Sequence, residues 1–295
     1  MSQSTSWLVS ANKGKKAKVV AIVVTHNPNP AVLKGLLASV AEQVNYTIVI
    51  DNASFNVELI SKLCKDIGSC YLITMRFNSG VAHALSVGIK YASRYEPIWL
   101  LFLDQDAILM RNSLQKVFEI IDGLQNTIKN KIGAILLGSS EGNCSISEVI
   151  YGIFSGTLIK SEIALKTCCR DDFFVDQADH ELYFKVRSLG YLTLKINCKL
   201  IEHRIGANRF VPIISNMVGG PVSYEPPWRY YYIVRNSTCL LIEGKLDFIT
   251  YLKQLIEWGF RILLTDGFVV IKPLGLGILH ALLGKLGYID SRVFG

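Results

Sequence analysis

Short apolar runs alternate with segments of helical periodicity along the N-terminal part of the chain. The run KVVAIVVT at residues 18–25 is β-branched and uninterrupted, as expected of a parallel strand buried on both faces. Apolar side chains at helical spacing follow at 31–43, and YTIVID at 46–51 predicts the second strand. Further helices and strands are predicted at 59–67, 70–75, 81–92 and 98–103. This alternation predicts an α/β fold built on a mainly parallel sheet.

Polar residues follow each of these predicted strands. Ligands of open parallel sheets bind beyond the carboxyl ends of the strands, so side chains at those ends are expected to meet in one crevice. The strand ends are Thr25-His26-Asn27, Asp51-Asn52, Arg76-Phe77-Asn78 and Asp104-Gln105-Asp106. The sequence therefore predicts a ligand site at this edge of the sheet.

The segment FLDQDA carries the strongest chemical signal, because it places two carboxylates one residue apart after a buried strand. Asp104 and Asp106 lie on the same side of the strand end and can hold a hard divalent cation beside phosphate oxygens. Asp51 can accept a hydrogen bond from a pyrimidine N3–H or a ribose hydroxyl. Asn78 and Gly80 begin a helix whose N–H groups suit an anion. Each residue alone can also be an ordinary turn residue, but their joint order favours a diphosphate site.

Length and composition predict a globular, enzyme-sized protein. The chain has 295 residues, 50% of them apolar, and its net charge of +7 favours an anionic partner without separating nucleic acid from phospholipid or nucleotide sugar. The first residues lack the apolar core and cleavage site of a secretion signal, so we expect a cytoplasmic protein. The seven cysteines lack the CxxC spacing of a zinc site, which favours reduced thiols over metal ligation or a disulfide framework.

Several segments resemble the inverting glycosyltransferases of family 2, specifically the bacterial rhamnosyltransferases of surface-polysaccharide and O-antigen synthesis. These segments are VVTHNPNP, VIDNAS, FNSGVAHALSVGI and FLDQD, followed by FFVDQADHELYFKVRSLGY, IEHRIG and RYYYIVRN. The resemblance implies a GT-A fold, a single nucleotide-binding domain at 18–245, between a basic tail at 1–17 and a helical apolar extension at 246–295. It implies Mg²⁺ or Mn²⁺, a nucleotide-sugar donor such as dTDP-L-rhamnose, a lipid-linked saccharide acceptor and no nucleic-acid partner.

The resemblance also implies roles for individual residues. It gives the catalytic base to Asp179, with Asp176 and Glu181 as alternates, because Ala178 stands where the family usually has a glutamate. It implies that His203 joins the two carboxylates of the D-x-D motif at the metal or touches the diphosphate. The implied nucleotide-sugar contacts are Thr25, Asn27, Asp51, Asn78, Gly80, Asp104, Gln105, Arg229 and Arg235. His26 replaces the usual aromatic residue of the first strand end, and Asp179 can also be read as a helix N-cap.

The C-terminal segment 248–286 is apolar but interrupted by charges, and no window of about 20 apolar residues occurs in it. We predict two helices broken near Lys272-Pro273. They either lie in a membrane interface, anchored by Trp258, Arg261, Lys272 and Lys285, or pack on the main domain. The first alternative implies a peripheral protein at the inner face of the bacterial plasma membrane.

Two other classes of protein share parts of this pattern. A sugar nucleotidyltransferase also uses an α/β sheet, a D-x-D pair and magnesium, but it is expected to carry a glycine-rich basic loop after the first strand, and HNPNPAVLKG is not such a loop. A non-catalytic nucleotide- or membrane-binding protein could keep the fold. The intact acidic residues argue against that alternative.

Overall fold

The computed structural model of the protein describes residues 18–203, 207–209, 222–267 and 271–294, so the predicted basic tail at 1–17 lies outside the described residues. The strands are β1 Val19–Thr25, β2 Tyr46–Asp51, β3 Cys70–Thr74, β4 Trp99–Asp104, β5 Ile108–Leu109, β6 Ile132–Leu137, β7 Ser145–Glu148, β8 Thr157–Lys160, β9 Leu192–Asn197, β10 Ile201–Glu202, β11 Ala207–Arg209 and β12 Val222–Tyr224. The helices are α1 Pro30–Ala41, α2 Val57–Ile67, α3 Val81–Ala92, α4 Ser113–Asp122, α5 Asn126–Lys131, α6 Ser161–Thr167, α7 Ala178–Ser188, α8 Pro227–Ile242, α9 Phe248–Asp266 and α10 Ile271–Leu282.

The central sheet has eight strands in the order β3-β2-β1-β4-β8-β6-β9-β7. β1 pairs in parallel with both β2 and β4, and β6 pairs in parallel with β9. β8 runs antiparallel to its two neighbours, and β7 runs antiparallel to β9. The predicted α/β fold with a mainly parallel sheet is therefore confirmed.

Helices cover both faces of this sheet because its central strands are apolar on both sides. Val19, Ala21 and Val23 of β1 belong to a core with α1, α2 and α4. The alternate residues Val20 and Ile22 belong to a second core with α3, α6 and α7. Successive strand residues point to opposite faces, so one uninterrupted apolar run supplies both cores.

The register of the sheet brings the polar strand ends together. Thr25 is opposite Asp51 across the β1–β2 pair, and Val24 is opposite Asp104 across the β1–β4 pair. Parallel strands end at the same edge, so these residues and the loops after them surround one crevice, as the sequence predicts.

The C-terminal helices pack on α8 through one face. Pro273, Gly277 and Ala281 of α10 are buried at a spacing of four residues. A Cβ atom at Gly277 would lie 2.9 Å from the carbonyl oxygen of Tyr231, so α8 and α10 approach closely. α9 ends at Asp266 and α10 begins at Ile271, which agrees with the two helices predicted to break near Lys272-Pro273. Pro273 lies in the first turn of α10, where proline is tolerated.

The structure places six of the seven cysteines in three close pairs, an arrangement that the expectation of reduced thiols did not include. The antiparallel pairing of β7 with β9 brings Cys144 and Cys198 to a Cα separation of 4.5 Å, and the turn into β3 brings Cys64 and Cys70 to 5.1 Å. The neighbours Cys168 and Cys169 form the third pair, and Cys239 is a buried free thiol. Sequence spacing alone could not show the two longer-range approaches.

Candidate active site

The D-x-D carboxylates and His203 meet at the carboxyl end of β4. Asp104 closes that strand, and the pairing of β5 with β10 brings His203 back beside it. The Nε2 atom of His203 lies 3.3 Å from an oxygen of Asp104 and 3.5 Å from an oxygen of Asp106. The potential ligand atoms of the three residues all lie within 4.8 Å of one another. The structure thus brings together the three residues that the sequence suggested as metal ligands.

The donor set of this cluster fits a divalent cation. Two carboxylates and an imidazole suit Mg²⁺ or Mn²⁺, and the carboxylates of Asp104 and Asp106 are 42% and 45% exposed, so phosphate oxygens and water can complete the shell. Burial tends to lower the pKa of His203, but hydrogen bonds to the two carboxylates raise it to about 9. An imidazole must be neutral to bind a metal, so a proton and a divalent cation compete for this cluster.

A cavity that we call the Asn52 cavity adjoins this cluster and has a volume of about 320 Å³. It is lined by His26, Asn52, Asn78, Gly80, Gln105 and Trp228, among others. Asn52 organises it. Its amide nitrogen donates to Oδ1 of Asn78 at 2.9 Å, and its oxygen accepts from the backbone N–H of Ser79 at 2.8 Å. The sequence placed Asn52 at this edge only as a strand-end residue, and it gave no role to Trp228, which does not stand out beside the carboxylates.

Gly80 is required by a close backbone approach. Its φ is +87°, and a Cβ atom there would lie 2.2 Å from the carbonyl oxygen of Phe174. The same carbonyl accepts the N–H of Val81, and the N–H of Gly80 is bonded to Asn78. The N–H groups of Gly80 and Val81 are therefore bonded within the protein, and an anion contact at the start of α3 stays a prediction.

Asp51 and Thr25 lie beneath the crevice rather than in it. Asp51 is 1% exposed, and its carboxylate accepts from Thr25 Oγ1 at 3.1 Å and from the N–H of Ser54 at 3.0 Å. The hydroxyl of Ser54 adds a third hydrogen bond at 2.5 Å. Thr25 is fully buried, and its hydroxyl helps to hold the Asp51 carboxylate in place.

Asn27 and Gln105 hold together the loops that follow the strands near the Asn52 cavity. The side-chain oxygen of Asn27 accepts from the N–H of Phe55 at 2.9 Å, which holds the β2–α2 loop against the β1–α1 loop. The side-chain oxygen of Gln105 accepts from the N–H of His26 at 2.7 Å. Both residues therefore connect neighbouring strand ends, and Gln105 also lines the cavity.

The three carboxylates around the start of α7 lie in three different environments. Asp179 lines the central cavity, a space of about 430 Å³ that Asp104, Asp106 and His203 also line. Asp176 lines it too, but both of its oxygens accept from the guanidinium of Arg229. Glu181 is 1% exposed and paired with Lys185 and Lys245. Of these three, only Asp179 both faces the cavity and lacks a basic side-chain partner among the described residues.

Burial raises the pKa of the Asp179 carboxyl above its ordinary value, against the opposing influence of His180. The N–H of His180 donates to Asp179 at 2.9 Å. The left-handed backbone of Asp176 and Gln177, with φ of 63° and 65°, turns the chain into α7 and sets Asp179 at the cavity. A carboxyl group with this raised pKa suits proton abstraction near neutral pH.

The two arginines of the WRYYYIVRN segment have different surroundings. Arg229 lies at the central cavity and is held between Asp176, at 2.9 Å, and Glu225, at 2.8 Å. Arg235 is 1% exposed, donates to the carbonyl of Gly287 at 2.7 Å and lies over the rings of Tyr231 and Tyr232. The predicted phosphate contact of Arg235 is therefore wrong: helical spacing turns it toward α10, away from the face that carries Arg229.

The comparisons with known proteins agree with this fold. Residues 20–128 match the model of glycosyl transferase family 2. The chain is 25% identical over 265 residues to the dTDP-rhamnosyl transferase RfbF of Shigella flexneri, with 81% of this chain and 85% of that protein covered.

Two solved structures share the fold. TarS of S. aureus superposes with a TM-score of 0.56 at 17% identity, covering 94% of this chain and 50% of TarS. GalNAc-T7, solved with UDP, GalNAc and Mn²⁺, also gives 0.56, at 14% identity, covering 86% of this chain and 57% of GalNAc-T7. The chain thus spans about half the length of these two proteins.

The fold and the comparisons together define the class of protein. The large mixed sheet is similar to those of the GT-A glycosyltransferases, which confirms the predicted fold, and the family match supports a glycosyltransferase. The family match and the Shigella relative support, more narrowly, a rhamnosyltransferase-like protein of glycosyltransferase family 2, as the sequence motifs indicate.

Proposed function

We propose that the protein is an inverting, metal-dependent glycosyltransferase that moves L-rhamnose from dTDP-L-rhamnose to a hydroxyl of a lipid-linked saccharide in bacterial surface-polysaccharide synthesis. The observation that carries the proposal is one cavity lined both by the Asp104, Asp106 and His203 cluster and by Asp179. The name of the Shigella relative supports rhamnose as the sugar and dTDP as the nucleotide.

The geometry suits a single displacement at the anomeric carbon. Asp179 takes the proton of the acceptor hydroxyl as its oxygen bonds to the sugar, while the bond to the dTDP oxygen breaks on the opposite side. Asp104, Asp106 and His203 would hold Mg²⁺ or Mn²⁺, which neutralises the charge of a leaving diphosphate when bound. Arg229 acts by holding Asp176 and Glu225 in the cavity wall, so the acidic segment stays in place beside the base.

A donor panel tests this reaction directly. UDP-, GDP- and dTDP-sugars, including dTDP-rhamnose, are incubated with the protein and Mn²⁺ or Mg²⁺, and nucleotide diphosphate release is measured with and without EDTA. We expect release from dTDP-rhamnose that EDTA abolishes. Release of pyrophosphate from dTTP and a sugar phosphate would instead identify a nucleotidyltransferase. The absence of any metal-dependent turnover or binding heat would favour a non-catalytic protein.

The exposed faces of the C-terminal helices support a membrane-bound acceptor. α9 exposes Phe248, Ile249, Leu252 and Ile256, and α10 exposes Ile271, Leu279 and Leu282. Lys272 and Lys285 are exposed beside them, which suits anionic lipid headgroups. Among the residues that the structure describes, no helix is both long and apolar enough to cross a membrane. We propose that these faces hold the protein at the inner surface of the bacterial plasma membrane.

Of the four predicted membrane anchors, Trp258 packs on another helix of the protein. Its ring centroid lies 5.7 Å from that of Tyr230 of α8, and its side chain is partly buried there. The side chain of Arg261 lies outside the described residues. The proposed membrane contact therefore depends on the exposed apolar residues of α9 and α10 and on Lys272 and Lys285.

Vesicle sedimentation tests the membrane contact. The variant Leu279→Gln/Leu282→Gln is compared with Ile150→Gln/Leu165→Gln, which removes two exposed apolar side chains elsewhere on the surface. On vesicles of phosphatidylglycerol and phosphatidylethanolamine we expect the wild type and the control pair to sediment at low salt and the α10 pair to stay in the supernatant. Wild-type protein that stays wholly in the supernatant contradicts the membrane proposal.

A further inference from the structure

A third cavity adjoins the central cavity and is separate from the Asn52 cavity. This distal cavity has a volume of about 240 Å³ and is lined by Tyr151, Ile153, Ser155, His180, Lys195 and His203, among others. Ile153, Ser155 and His203 also line the central cavity, so the two spaces adjoin. The distal cavity shares no lining residue with the Asn52 cavity.

The wall of the distal cavity combines aromatic, apolar and polar groups. The rings of Tyr151 and His180 lie 5.1 Å apart at an angle of 37° and form one aromatic surface. Lys195 projects from β9 and has no ion-pair partner among the described residues. The Nδ1 atom of His180 is buried and, within the described part of the chain, has no hydrogen-bond partner. Buried polar atoms are usually paired, so a hydroxyl-rich ligand would suit this wall.

Close packing fixes the loop that carries Tyr151. A Cβ atom at Gly152 would lie 2.2 Å from the ring of Tyr183, whose hydroxyl is bonded to Thr157 of β8 at 2.8 Å. Tyr183 belongs to α7, the helix that also carries Asp179 and His180. The aromatic surface and the proposed base therefore sit on one supported unit, and the distal cavity is preformed.

We propose that the distal cavity binds the second sugar ring of the acceptor, so that the acceptor is at least a disaccharide. The inference rests on the proposed transferase function. The acceptor hydroxyl must reach Asp179 in the central cavity, and the next ring of the same saccharide then extends into the adjoining space. The apolar face of a sugar ring packs on aromatic side chains, while hydroxyls bond to lysine, histidine and serine groups. The small volume suits one ring, since pockets for drug-sized ligands span roughly 300–1,000 Å³.

The test compares saccharides of two lengths. Transfer from dTDP-rhamnose is measured with methyl glycosides of rhamnose, glucose, galactose and N-acetylglucosamine, each as a monosaccharide and as a disaccharide. We expect at least one disaccharide to have a KM about tenfold below that of its monosaccharide. Tyr151→Leu and Lys195→Met should remove that preference by raising the disaccharide KM while kcat changes little. Tyr151→Phe keeps the ring and should keep the preference, and Lys199→Met controls for the loss of a lysine outside the cavity.

The outcomes separate this inference from the function on which it rests. Wild-type protein that releases dTDP but uses disaccharides no better than monosaccharides, or uses neither, overturns the distal subsite alone. A preference that survives in Tyr151→Leu and Lys195→Met overturns it as well. Wild-type protein that releases no nucleotide from any donor overturns the proposed function and the subsite together.

Discussion

Replacing Asp179 with asparagine should remove the chemical step and leave the fold at least as stable. The amide is nearly isosteric with the carboxylate but cannot accept the acceptor proton. Burial raises the pKa of Asp179, so the ionised carboxylate destabilises the folded state at pH values above the pKa of the unfolded chain. A neutral amide removes that cost, and we therefore expect the melting temperature at neutral pH to stay the same or rise.

The size of the kinetic effect follows from the role of the residue. General bases contribute roughly 10²- to 10⁴-fold to a rate, equal to about 3–5 kcal/mol of activation free energy. Asp176 provides the matched comparison, because it lines the same cavity but its oxygens are bonded to Arg229. Asp176→Asn weakens that pairing and should lower the free energy of unfolding by about 1.5–3 kcal/mol, the range for hydrogen bonds to charged groups.

The assay follows dTDP release by wild type and both variants across pH, with thermal melts of the same samples. In the wild type, kcat/KM should fall as pH drops through the raised pKa of Asp179, which places the acid limb above the pKa of about 3.9 of an ordinary aspartate. Asp179→Asn should lose that limb together with its activity. Turnover by Asp179→Asn within about tenfold of wild type, or a loss of kcat without a loss of stability in Asp176→Asn, would refute the assignment of the base.

Three further substitutions test the site and its supports. Asp106→Ala should lower turnover by at least about 100-fold with an unchanged melting temperature, and Mn²⁺ titration by calorimetry in the presence of dTDP should show weakened binding. Gly80→Ala should destabilise the fold by about 1–3 kcal/mol in urea unfolding, whereas Gly68→Ala, at a similar φ but with no atom within 4 Å of the added carbon, should cost less. Arg235→Lys should lower stability and leave the donor KM unchanged, because Arg235 is buried outside the cavity, and a raised donor KM would restore its predicted phosphate contact.

Local pattern was enough to predict most of the N-terminal half of the fold. The β-branched run at β1 and the polar residues after it determine both a strand and the edge at which ligands bind. The metal cluster was also predicted, since Asp104 and Asp106 are close in sequence and His203 was matched through a family motif. The particular approach of His203 depends on the two-residue β5–β10 pairing, which is too short to be read from the sequence.

The predictions failed where distant segments had to meet. Nothing local shows that Arg229 pairs with Asp176, 53 residues away, or that Arg235 turns toward the carbonyl of Gly287. Those contacts decide which acidic residue is left as the candidate base and which arginine faces the cavity. The aromatic surface of Tyr151 and His180 escaped notice for the same reason, because it joins a loop before β8 to a helix after it.

The packing of α10 on α8 means that the C-terminal segment is not a removable attachment. α8 carries Arg229 at its N-terminal turn and, on another face, Tyr231 and Arg235, which contact His280 and Gly287. Cutting the chain before α9 would expose the face of α8 that α10 covers and leave the Arg235 guanidinium without the carbonyl it bonds. A shortened protein that is inactive would therefore say little about membranes. Substitutions of exposed residues on α9 and α10 keep α10 packed on α8. They are therefore the informative way to separate membrane attachment from catalysis.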